Sequence, residues 1–352
     1  MTSIYACSRE ELAALLEGEP RFRVDQVLRG LWIEGLGLEE ITTIPKSLRR
    51  RLGERFTPSL SVASEVRSDR GATRKWVFRL ENGSTIETVL MRYDERVTVC
   101  VSSQAGCAMG CSFCATGQAG FSGQLGPGEI LEQVMFAARA AAPERLSNVV
   151  FMGMGEPLAN YAATVTALRR LHEYRGLSAR HLTVSTVGVA PAIERLAREG
   201  LPLTLAVSLH AANDAARSEL IPLNRRYPLE RLREACTYWR ATTGRRLSFE
   251  WALIDGVNDT DSALAELAEY ARPLGAHVNL IPLNPTPGYL VRGSSEARVS
   301  EFRDGLRQRG VNATVRNTRG RSIAAACGQL ASVTNPKRRS VSLRARDAVT
   351  TR

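Results

Sequence analysis

The 352-residue chain carries 47 Lys and Arg against 36 Asp and Glu, a net charge of +11, so its surface favours polyanionic partners such as RNA. Its 44% hydrophobic content suits a globular fold with one large domain and appendages, and excludes a largely disordered chain. No apolar run reaches the ~18 residues of a membrane span, and MTSIYACSREELAALL lacks the basic start and small-residue cleavage site of a secretory signal. A cytoplasmic location without membrane contact is therefore expected, and in that reducing compartment seven cysteines read as metal-binding or catalytic rather than as a disulfide framework.

Residues 1–58 read as a small helical accessory module with an RNA-binding role. Ser8 and Glu11 form a capping box before LAALL, RVDQVLRGLW has apolar spacings of three and four, and KSLRRRLGERF is short and basic. Over 59–92 the pattern changes to alternation, in KWVFRL and STIETVLM, which predicts a β-hairpin around Asn82-Gly83 leading into the next strand. From 93 onward the strands RVTVCVSS, NVVFMGM, HLTVSTVG, LTLAVSLHA, LSFEWALIDG and AHVNLIPLNP alternate with amphipathic helical stretches. These six βα units predict an α/β fold with a parallel sheet covered by helices, an open or partial (β/α)6 barrel. VNATVRNTRG adds a possible last strand before RSIAAACGQLAS, which closes the core at about 334, and 335–352 reads as a basic disordered tail. The strand ends carry the polar words GMGEP, STVG, SLHA, DGVND and PLNP, and such folds build their sites at that rim.

Within CVSSQAGCAMGCSFCATG, three cysteines stand as Cys107-x3-Cys111-x2-Cys114, with Cys100 seven residues upstream. Three thiolates on one loop can hold three irons of a [4Fe–4S] cluster and leave the fourth iron open to a small molecule. A zinc site is the alternative. It normally needs a fourth ligand, and His172, His181, His210 and His277 all lie far from the loop in sequence.

This cysteine spacing after a first strand, with Phe113 before the last cysteine, resembles the radical S-adenosylmethionine (SAM) superfamily. There the open iron binds the methionine moiety of SAM, and reduction yields a 5′-deoxyadenosyl radical. Up to about residue 333 the chain further resembles the RlmN-type adenine-C2 RNA methyltransferases, with FMGMGEPLANY, LTVSTVGV, AVSLHA, IPLNRRYPLERL, DGVNDT, NLIPLNP and ACGQL in that family's order. The Cfr-type enzymes, which methylate adenine C8 and confer antibiotic resistance, share much of this pattern. The resemblance implies 2-methyladenosine formation in 23S rRNA at the peptidyl-transferase centre and in tRNA beside the anticodon. It also implies two SAM molecules per turnover and an electron donor such as flavodoxin, and the chain is expected to act as a monomer.

The resemblance also implies residue roles. Cys327 matches the cysteine that carries the methyl group as S-methylcysteine, and Cys100 the one that resolves the RNA crosslink through a transient disulfide with Cys327. Glu87 matches the proton acceptor. Gly155 and Glu156 face the methionine amino group, Ser185 and Ser208, Leu209 and His210 approach the ribose and carboxylate, and Asn284 reaches the adenosine. Without the resemblance, Cys327 and Cys100 read as small core residues, Glu87 as a solvated strand side chain, and each short polar word as an ordinary loop. The chain departs from the family's Arg-Asn-Leu-Thr-like stretch at Ser122-Gly123-Gln124-Leu125-Gly126, and has Ser322 where the family has Asp. A reading from another class remains: a non-catalytic RNA-binding protein with a structural metal.

Overall fold

The computed structural model describes residues 3–284, 291–316, 319–326 and 328–330. Cys327 and the tail 335–352 lie outside the described residues.

At the N-terminus Ser8 Oγ accepts from Glu11 N (3.1 Å) and Glu11 Oε2 from Ser8 N (2.7 Å), the reciprocal cap that starts α1 (Arg9–Leu15). Helix α2 (Phe22–Leu28) runs into a π-helical turn, Arg29–Glu34, which Gly35 ends in the left-handed region at φ +72°. Helix α3 (Lys46–Arg55) turns Leu48 and Leu52 inward. The module is fixed to the rest of the chain through Trp32, which packs edge-on against Tyr5 and Tyr174 at 5.2 and 5.6 Å. Arg175 donates to the carbonyls of Trp32 (2.8 Å) and Ile33 (3.0 Å), capping the π-turn.

Next come β1 (Leu60–Ser68), β2 (Thr73–Leu80) and β3 (Thr85–Arg92), an antiparallel set whose β2–β3 turn carries Gly83 at φ +81°. Strand β4 (Val97–Cys100) opens the parallel part; after it the short β5 (Gln104–Gly106) and β6 (Phe121–Gln124) pair with each other around α4 (Ala115–Ala119). Then follow α5 (Pro127–Ala141), β7 (Leu146–Phe151), α6 (Tyr161–Glu173), β8 (Leu182–Thr186), α7 (Ala190–Ala197) and β9 (Thr204–Ser208). The chain continues through α8 (Asp214–Leu220), α9 (Leu229–Thr243), β10 (Ser248–Leu253), α10 (Asp261–Ala271), β11 (His277–Pro282), α11 (Glu296–Gln308) and β12 (Asn312–Val315).

Ten strands form one sheet in the order β1-β2-β3-β4-β7-β8-β9-β10-β11-β12, parallel from β4 to β12. Each new parallel strand joins the same edge after a helical crossover, the arrangement that curves a sheet into a barrel wall. It stays open, because β3 occupies the other edge of β4. The six βα strands expected from the sequence are β4 and β7–β11, and the suspected last strand is β12. One face is buried under the helices, Val149, Val184, Leu205, Phe249, Trp251 and Val278 all being inaccessible to solvent, while the other, with Ser185 and Ser208, lines a cavity.

Candidate active site at the barrel rim

Beyond Cys100 the chain leaves β4 and passes against the loop that follows β7. Gly153 N donates to Val101 O (3.0 Å), while Met154 O accepts from Ser103 N (2.8 Å) and Gln104 N (3.1 Å). A Cβ on Gly153 would lie 2.6 Å from the Val101 carbonyl carbon, and one on Gly155, at φ +100°, would lie 2.5 Å from Gln104 Cβ. Only glycine allows this backbone contact, which is the physical content of the word GMGEP.

The cysteine loop is pinched at its base, where Cys107 N donates to Gly120 O (2.8 Å). Inside it, Cys114 N donates to Cys111 O (3.2 Å), Cys114 precedes α4, and Ser112 N is held by Leu220 O of α8 (3.1 Å). Cys111 and Phe113 pack with Ala211, Leu220, Ile221 and Ile254 in an apolar cluster. Burial, reinforced by the neighbouring thiols, pushes the Cys111 thiol well above its ordinary range; burial likewise raises Cys107 to about 11. Thiolates in such a box need a cationic partner, and three on one loop suit a polynuclear iron cluster in which each binds a different iron. Among the described residues no three His, Cys, Asp or Glu side chains converge closely enough to hold a metal ion.

Cys111 and Cys114 border a cavity whose opposite wall is built from the parallel strand ends: Gly155 and Glu156 after β7, Ser185 on β8, Ser208 on β9, His210 just beyond it and Asn284 after β11. The Glu156 carboxylate is buried and accepts from Leu158 N (3.0 Å) and Val187 N (2.9 Å), while its own amide donates to Gln104 Oε1 (2.8 Å). Burial outweighs these hydrogen bonds and raises its pKa to about 7. His210 has φ +58°, accepts from Ala252 N at Nδ1 (2.9 Å) and meets the Phe113 ring edge-on at 4.6 Å. Burial, aided by the Arg217 charge, lowers its pKa to about 3, so the ring is neutral with its proton on Nε2. Leu209 is different: its side chain lies wholly in the core, and only its backbone reaches the rim. Cys107 also stands outside the cavity lining.

The C-terminal segment returns across this rim. Gly328 O accepts from Ala115 N (2.8 Å) and Leu330 O from Thr116 Oγ1 (2.5 Å), both on α4 directly after Cys114. Ala325 and Leu330 share a small apolar cluster with Cys100, Val89, Met91 and Met154. Residues on either side of Cys327 thus touch the cysteine loop and the surroundings of Cys100, although Cys327 itself lies outside the described residues, and no disulfide joins the described cysteines. Glu87 is wholly buried on β3, not solvated as its strand context alone suggests. Lys75 Nζ stands 3.1 Å from its carboxylate and also donates to Ala324 O (3.0 Å), tying the returning segment to β2.

The sequence pattern of the radical SAM superfamily matches residues 101–270. A protein of Frankia casuarinae named a probable dual-specificity RNA methyltransferase RlmN is 53% identical over 338 residues, 92% of this chain and 80% of that one. A protein of the same name from Chloroflexus aurantiacus is 48% identical over 346 residues, 93% of this chain and 92% of that one. The crystal structure of a radical SAM methyltransferase from Sphaerobacter thermophilus is 49% identical and superposes with a TM-score of 0.91, covering 94% of this chain and 99% of that one. The chain belongs to the RlmN family.

Set against the RlmN pattern, the departure at 122–126 has a visible place. Gln124 on β6 accepts from Gln104 Nε2 (2.9 Å) and donates to Ala159 O (3.1 Å), so it braces the residue that holds the Glu156 amide. Ser322 is exposed in the short 3-10 turn Arg321–Ile323. Sequence reasoning missed Gln104, Glu250 and Arg217. Glu250 lines the cavity from β10, its Oε1 accepting from Ser248 Oγ (3.0 Å) and Asn279 Nδ2 (2.9 Å). A glutamate flanked by Phe249 and Trp251 in a fully apolar strand was the available signal.

Proposed function

We propose that the chain is a radical SAM RNA methyltransferase that forms 2-methyladenosine in 23S rRNA and in tRNA. The observation that supports this reading is that Ala325, Gly328 and Leu330, neighbours in sequence of the expected methyl carrier, contact α4 and the Cys100 cluster across more than two hundred residues of chain. Adenine C2 lies between two ring nitrogens and is not nucleophilic, so displacement on a sulfonium methyl cannot alkylate it. A [4Fe–4S] cluster and SAM supply, when bound, the methyl group and the one-electron chemistry that overcome this.

In this proposal Cys107, Cys111 and Cys114 hold the cluster. The Gly155–Glu156 turn receives the methionine ammonium, Ser185 and the Ser208–His210 backbone lie along the ribose and carboxylate, and Asn284 meets the adenine. Cys327 holds the methyl carbon as a thioether, and Cys100 takes over the Cys327 sulfur in a transient disulfide as the product leaves. Glu87 accepts the C2 proton, its buried charge balanced by Lys75. A flavodoxin-type electron donor, a cytoplasmic site and a monomeric state complete the proposal.

The test compares rRNA and tRNA from a strain lacking the gene with those from its complemented partner. Mass spectrometry of the digests should show 2-methyladenosine lost and restored. If 8-methyladenosine is restored instead, the C8 reading replaces this one; a zinc-bound protein without effect on either base is the non-catalytic RNA binder.

A further inference from the structure

We infer that Arg217 is a positioning residue for this site, a buried cation that ties together the strand ends facing the cofactor and raises the reduction potential of the cluster held by the three cysteines. The inference rests on the proposed iron–sulfur reading.

Arg217 lies on α8 and is 1% exposed. Its guanidinium donates from Nε to Leu209 O (3.1 Å), from Nη2 to Val187 O (2.7 Å) and Ser208 O (3.2 Å), and from Nη1 to Asn224 Oδ1 (2.7 Å). One planar fork thereby joins the ends of β8 and β9. Val187 is the residue whose amide holds the Glu156 carboxylate, and Ser208 and Leu209 begin the word SLHA. A Cβ on Gly188, at φ +104°, would come 3.3 Å from Arg217 Nη2, so the glycine of STVG leaves room for the fork.

All four acceptors are neutral carbonyl oxygens. The nearest carboxylate in the network, Asp214, is reached only through Asn224, whose Nδ2 donates to Asp214 Oδ1 (2.9 Å). The positive charge is therefore carried in low dielectric with little compensation, where its field reaches far. The same helix reaches the cysteine loop: Leu220, one turn further along α8, accepts from Ser112 N and packs with Cys111, and Arg217 and Cys111 are close enough to interact electrostatically. A cluster bound by three thiolates is anionic, and one-electron reduction adds a further negative charge. A fixed cation behind the loop stabilises that reduced state more than the oxidised one.

Charge and fork can be separated, because Lys keeps the first and loses the second. In anaerobic holoprotein, titrated with dithionite and followed by electron paramagnetic resonance, Arg217→Gln should move the midpoint to more negative potential and weaken SAM binding several-fold at equilibrium. Arg217→Lys should weaken SAM binding while keeping the wild-type midpoint. A wild-type midpoint in an Arg217→Gln protein with its full iron content overturns the inference. Should that variant not retain its iron, Arg217→Lys decides: SAM binding as tight as in the wild type, or a midpoint moved away from the wild-type value, overturns it. Iron analysis of the wild type tests the underlying reading separately, since a protein without a cluster would fail there first.

Discussion

His210 shows what a single residue reveals in the folded chain and hides in the sequence. A left-handed backbone is uncommon outside glycine, and here it turns the imidazole so that Nδ1 takes the Ala252 amide and the ring edge meets Phe113. Protonation would place a charge in a buried site, near Arg217, which is why the folded pKa falls to about 3 from the ordinary value of 6.5. The native protein then binds fewer protons than the unfolded chain between those values. Stability is present above pH ~6.5 and is lost as pH falls towards 3, at about 1.4 kcal/mol per pH unit for one proton. His210→Asn should flatten the pH dependence of the urea midpoint between pH 6.5 and 5 by about one proton's worth. An equal slope in both proteins would show that other groups set the acid sensitivity.

At the scale of elements, the short β5–β6 pair holds the cysteine loop closed, and Gly106 is its tightest point. At φ +75° its Cβ would collide with the Gly120 carbonyl, the acceptor for Cys107 N. Gly106→Ala should therefore open the base of the loop and lose most of the bound iron, measured per chain after anaerobic purification, while the far-ultraviolet dichroism of the barrel stays unchanged. Full iron occupancy would mean that the loop closes without this hairpin. The barrel strands are legible in the sequence because each is a short, largely apolar run followed by a helical period, and Ser8 with Glu11 is legible as a cap. The β5–β6 pair is not, since QAG and FSGQ carry neither an apolar face nor a β-rich composition. Strand β1 falls within the alternating stretch 59–92 but is not singled out there; it lies at the sheet edge with nearly every side chain exposed.

Across the whole molecule, the first strands, the cysteine loop and the end of the core meet at one rim, and this meeting has no local signal. Glu87 and Lys75 illustrate it. Val77 stands opposite Glu87, which puts Lys75 in the diagonal position on β2, and only the folded register pairs Glu87, which reads as solvated in the sequence, with that lysine. The motif words were readable one by one, whereas Arg217 was hidden in an amphipathic helix, where a charge usually faces water. The same long-range meeting predicts different failures for the two cysteines. In the proposed mechanism Cys327→Ala removes the methyl carrier, so RNA should remain unmethylated and unattached. Cys100→Ala leaves the carrier and the cluster loop intact but removes the thiol that lies beside Ala325 and Leu330. The carbon delivered to adenine should then stay bonded to the Cys327 sulfur, and protein joined to RNA should accumulate. After nuclease digestion, mass spectrometry should find a nucleotide adduct on the Cys327 peptide of Cys100→Ala and none in the double variant. Normal turnover by Cys100→Ala without an adduct would mean that product release in this chain uses another thiol or none.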